Sequence, residues 1–121
     1  MVRNQTYQKA ECKIAEALST GAIELDLSCN ILADDSEKLT ELPEFLGQLA
    51  QLQTLNLSGN QLTKLPESLG QLAQLQLLKL ERNQLTVLLE LLGQLAQLQL
   101  LNLNGNQLMT LPESLGQLSN L

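Results

Sequence analysis

The chain has 121 residues, room for one small domain with a modest core, and 13 acidic against 7 basic side chains give it a net charge of −6 with no histidine. That sign argues against nucleic acid or an anionic membrane surface as the main partner, because both demand a cationic face. Two cysteines, Cys12 and Cys29, are too few for a disulfide framework or a closed thiolate zinc site, so reduced thiols and no metal or cofactor are expected. No run of about 18 apolar residues occurs, and the stretch Met1 to Lys13 lacks the apolar core of an export signal. A soluble, cytoplasmic protein is the expectation.

In chain order, Tyr7, Ala10, Ile14, Ala17 and Leu18 first recur at helical spacing, and Gly21 is the expected stop. Residues 1–21 therefore read as an amphipathic helix that covers the end of whatever follows. The stretch AIELDLSCNIL (22–32) then alternates like a short strand, with Leu25 and Leu27 inward. Next comes LADDSEKL (32–39), charged and without pattern. Asp34, Asp35 and Glu37 lack the alternating spacing and later bidentate glutamate of a calcium loop, so a solvated insertion is expected.

From there the chain repeats itself. Leu42, Leu65, Leu88 and Leu111 recur every 23 residues, as do Gly47, Gly70, Gly93 and Gly116. The segments LQTLNLSGNQL (52–62), LQLLKLERNQL (75–85) and LQLLNLNGNQL (98–108) each fit L-x-x-L-x-L-x-x-N-x-L. The first strand stands 30 residues before the second, Leu25 to Leu55, and the excess over the period falls in the acidic insertion near 32–39. Leu55 and Leu57 face inward with Asn56 outward. The recurrent asparagines Asn30, Asn60, Asn83 and Asn106 sit where the chain leaves each strand; a buried amide there can donate and accept, so a structural asparagine ladder is expected. Leu62, Leu65, Leu69, Leu72 and Leu75 point inward again, with Pro66 opening a helical turn.

These residues resemble the leucine-rich repeat family over residues 22–121. The resemblance implies an α/β fold, a right-handed solenoid of about four repeats with parallel strands on the concave side, short helical or 3-10 turns on the convex side and an N-terminal helical cap. The unit from Leu42 to Pro66 is similar to the 23-residue cytosolic class, as in plant intracellular Ras-group-related repeats and the repeat region of bacterial and cyanobacterial Roco-type proteins. The chain carries no GTP-binding motif. The resemblance thus implies a recognition module that binds protein on its concave face, as a regulatory piece of a larger signalling protein would, and no GTPase activity.

Catalysis has little to work with here: no histidine, no nucleophile motif and no phosphate loop. Cys29 reads as a small residue at a position held elsewhere by Gly59, Arg82 and Gly105. The outward strand positions are more informative. Glu24, Thr54, Leu77 and Leu100 form one column, Asp26, Asn56, Lys79 and Asn102 the next, Ser28, Ser58, Glu81 and Asn104 the third. Leu77 and Leu100 break the polar rule and are candidate anchors for a protein partner. The candidate binding face comprises Thr54, Asn56, Leu77, Lys79, Glu81, Arg82, Leu100, Asn102 and Asn104. A rival role is self-association into homo-oligomers, through Val87, Leu89, Leu91 and Met109, which replace polar residues or proline on the outer side, and through an uncapped end at Leu118 and Leu121.

Overall fold

The computed structural model describes residues 5–30, 32–34, 37–86 and 90–108, with Glu90 and Leu91 described by backbone only. Among the described residues a single α-helix, α1 (Gln5–Thr20), precedes four three-residue strands, β1 (Glu24–Asp26), β2 (Thr54–Asn56), β3 (Leu77–Lys79) and β4 (Leu100–Asn102). The strands form one parallel sheet in the order of the sequence, with Leu25, Leu55, Leu78 and Leu101 in register. Between the strands the chain returns through five-residue 3-10 turns, Glu44–Gln48, Glu67–Gln71 and Glu90–Gln94. The result is a solenoid with a helical cap.

Helix α1 buries Ala10, Ile14 and Ala17 and leaves Leu18 exposed, so its apolar stripe is narrower than the sequence spacing suggests. It ends as expected at Gly21: φ is +68°, and the Ala22 N–H reaches back to the Ala17 carbonyl at 3.0 Å, a six-to-one closure that needs a left-handed residue. The core behind the sheet is almost entirely leucine, with Leu52, Leu55, Leu57, Leu62, Leu69, Leu72, Leu75, Leu78, Leu80 and Leu85 fully buried. One branched aliphatic stacked on its own copy fills the space between coils, and the period brings each copy directly over the last.

The proline before a turn fixes φ without needing to donate. Pro43 has φ −63° and ψ 139°, Pro66 φ −69° and ψ 147°, and their carbonyls accept from Leu46 and Leu69 to close the turn. The turn of the third coil spans the same five positions, although Leu89 stands in sequence where Pro66 precedes the second. The recurrent glycine has a packing reason as well: a Cβ on Gly47 would lie 2.5 Å from the Ser68 carbonyl oxygen of the next turn. Successive turns can stack that closely only without a side chain at this point.

The insertion leaves the repeat undisturbed. Leu39 is buried, its N–H is bonded to Asn60, and its carbonyl accepts from Gln61; Leu62 occupies the same place one period later. The extra residues thus lie between Asn30 and Leu39, and Leu32 among them is 89% exposed.

Candidate functional site

Two polar networks run along the strand ends, one facing the core and one facing the open side of the sheet. The inner one is built from asparagine. Asn83 donates to the carbonyls of Leu57 at 2.9 Å and Leu80 at 3.0 Å, and accepts from the Leu62 N–H at 3.1 Å. Asn60 repeats this with Leu27, Leu57 and Leu39, and Asn106 with Leu80, Leu103 and Leu85. Each amide therefore spans two coils. Asn30, in the first coil, is exposed, and its Oδ1 accepts locally from the Leu32 N–H at 2.9 Å.

The outer network is not evident from the columns of outward residues. At the end of three of the strands one backbone N–H has no partner in the sheet ladder, and the side chain two residues earlier accepts it: Asp26 from Ser28, Asn56 from Ser58, Asn102 from Asn104, at 2.9–3.1 Å. The Ser28 and Ser58 hydroxyls donate to the same carboxylate and amide oxygens. These bonds hold the Asp26 carboxyl below its usual pKa: the Ser28 hydroxyl lowers it most, the Ser28 N–H next, and Lys13 and Lys79 add a weaker attraction against the cost of partial burial. The signal in the sequence is an Asp or Asn followed two residues later by Ser or Asn.

The third coil departs from this scheme at every point. Lys79 holds the capping position and has no acceptor to offer. No residue among those described accepts from the Glu81 N–H. Lys79 instead pairs with the Glu81 carboxylate at 3.6 Å. Arg82 follows with φ of +57°, the sole non-glycine among the described residues in the left-handed region, where Gly59 and Gly105 both stand at +75°. Its side chain is exposed, lies against Gly105 and has no ion-pair partner among the described residues.

The remaining candidate residues fall on the same face. Thr54, Leu77 and Leu100 lie in register on neighbouring strands, as do Asn56, Lys79 and Asn102. Thr54 and Leu77 are half-buried and Leu100 is 47% exposed; Glu81 is half-buried, and Asn104 is exposed at the edge. Val87, Leu89, Met109, Leu118 and Leu121 lie outside the described residues, as does the side chain of Leu91. A cavity of about 400 Å³ among Tyr7, Glu41, Leu42, Glu44, Lys64 and Glu67 takes no residue from the strand face. Among the described residues no group of three or more metal-ligating side chains converges, and no helix is long and apolar enough to cross a membrane.

Comparison with known proteins places this geometry. The family model described as Leucine rich repeat matches residues 23–85, and a second leucine-rich repeat model matches 97–118. A solved leucine-rich repeat protein of Leptospira interrogans is 37% identical, with a TM-score of 0.71 over 87% of this chain and 31% of its own. An internalin of Listeria monocytogenes shares the fold at 22% identity and a TM-score of 0.53, over 87% of this chain and 35% of its own. The chain thus spans about a third of the length of these solved relatives. No curated protein matches.

Proposed function

We propose a protein-binding role on the premise that this chain belongs to the leucine-rich repeat family, a non-enzymatic fold that generally mediates protein–protein interaction. The binding surface in this reading is the open face of the sheet. The observation that carries it is the pair Leu77 and Leu100, side by side in register on adjacent strands, with Lys79 and Asn102 beside them. Apolar side chains ringed by polar ones are the usual anchors of an interface, since the ring excludes water from the contact. A partner covering Leu100 would remove from water a side chain that is now 47% exposed.

The test is the double variant Leu77→Asp with Leu100→Asp, used to select ligands from a displayed library of peptides and small domains. The fold is expected to survive, because neither side chain belongs to the buried core. Selection is expected to fail with the variant and succeed with the parent. Recovery of the same ligands at the same affinity would overturn the reading.

A further inference from the structure

Two replacements coincide in the third coil, and what they imply rests on the concave-face reading above. Lysine replaces the acceptor that caps the strand-end N–H in the other three coils, leaving the Glu81 N–H without a partner among the described residues. Arginine occupies a left-handed position that glycine fills in the second and fourth coils. Both replacements work against stability, one by leaving a donor unpaired, the other by forcing a Cβ into a disfavoured backbone region. Both also bring positive charge to the strand end of the third coil, on a chain whose net charge is −6.

We propose that this place receives a carboxylate of an extended, acidic segment of a partner protein. The Glu81 N–H would donate to it, and Lys79 and Arg82 supply the opposite charge. The internal carboxylate there, that of Glu81, is held by Lys79 at 3.6 Å, which leaves Arg82 as the cation with no partner among the described residues. Leu77 lies two residues before Lys79 on the same side of β3, so an apolar contact sits about 7 Å from the cationic one, the repeat distance of a pleated strand. An extended ligand meets that spacing with an acidic residue two positions from an apolar one. A compact anion would satisfy the charge and leave Leu77 and Leu100 uncovered.

The experiment is selection from a random peptide display library on three proteins: the parent, Leu77→Asp with Leu100→Asp, and Lys79→Asn with Arg82→Gly. The last variant restores the residues of the neighbouring coils, so it is expected to melt no lower than the parent. Peptides selected by the parent are expected to be enriched in Asp or Glu two positions from an apolar residue, to shift the Glu81 amide resonance, and to bind the Lys79→Asn, Arg82→Gly variant at least tenfold more weakly. Peptides that depend on Leu77 and Leu100 yet show no acidic enrichment, or bind that variant within twofold of the parent, overturn the inference and leave the concave-face reading intact. If no selected peptide depends on Leu77 and Leu100, both fall.

Discussion

The second and third coils share the inner asparagine bond and, among the described residues, the buried leucines, and differ at the strand end. In the second, Asn56 caps Ser58 and Gly59 makes the left-handed turn. In the third, among the described residues, Lys79 caps nothing and Glu81 keeps a spare donor, and Arg82 makes the left-handed turn that Gly59 and Gly105 make in the second and fourth. The inner side of a repeat is dictated by its neighbours, because each coil must complete the one before it. The outer side answers only to its own strand end, as Asp26, Asn56 and Asn102 do, so it can differ from coil to coil.

The comparison breaks first if the inner network is not shared. Asn83→Leu would leave the buried Leu62 N–H without its acceptor and force a bulkier apolar side chain into a filled space, at a cost of about 4 kcal/mol. The carbonyls of Leu57 and Leu80 would keep Asn60 and Asn106, so the loss stops short of a full collapse of the ladder. Asn30→Leu, on an exposed residue bonded within its own turn, is expected to cost about 0.5 kcal/mol. Denaturant midpoints measure both; equal costs would show that the ladder carries no special weight.

Turn glycines sharpen the comparison next. A Cβ on Gly59 would lie 2.1 Å from the Cys29 carbonyl oxygen, whereas at Gly105 the nearest atoms belong to Arg82 at 3.3 Å. The difference traces to the preceding coil: Arg82 is left-handed and Cys29 is not, so their carbonyls point differently into the coil above. The same logic explains how Arg82 fits at all, since it stacks on the left-handed Gly59. Gly59→Ala is expected to cost about 3 kcal/mol and Gly105→Ala about 1 kcal/mol, from outright clash plus backbone strain in the first case and from strain with a tight contact in the second. A thermal melt of each variant decides the order.

Much of the fold is legible in the sequence, for a physical reason. Leu55, Leu57, Leu62, Leu69 and Leu72 recur at a fixed period because stacking demands it, so the repeat and its inward face can be read from spacing, and the resemblance to the leucine-rich repeat family adds the solenoid. The strand-end caps cannot, because alternation marks Asp26 and Asn56 only as outward side chains, whereas each turns back to its own backbone. Leu18 falls outside the buried stripe because helical spacing marks a face without saying how wide a strip the first coil covers. The binding candidates are visible only as exceptions, and Arg82 stands out less as a charge than as a residue at a position suited to glycine.

Restoring the cap tests the outer difference directly. Lys79→Asn would give the Glu81 N–H an acceptor like Asn56 or Asn102 and is expected to stabilise by about 1 kcal/mol, a typical net hydrogen-bond contribution. Arg82→Gly is expected to add about 0.5 kcal/mol, because relief of the left-handed strain is partly offset by the greater freedom of glycine in the unfolded chain. If either lowers the melting temperature, the third coil is held by contacts of its own and its departures are structural.

The smallest effect separates the first coil from the second, which differ in using Asp26 and Asn56 for one task. The Ser28 hydroxyl and N–H bind the charged form of Asp26 and hold its pKa below the usual 3.8. A carboxyl with a depressed folded pKa stabilises the fold at pH above its unfolded value, and that contribution fades as pH falls through the lower folded value. The window therefore opens near pH 3.8 and extends below it. Because Asp26 is exposed, solvent screens the effect strongly, and it is best read as a difference between proteins. Asp26→Asn keeps an acceptor for Ser28 and removes the titration, so the parent is expected to lose stability relative to this variant between about pH 4 and pH 2. Parallel stability curves across that range would mean that the two caps are held by geometry alone, with charge playing no part in the first coil.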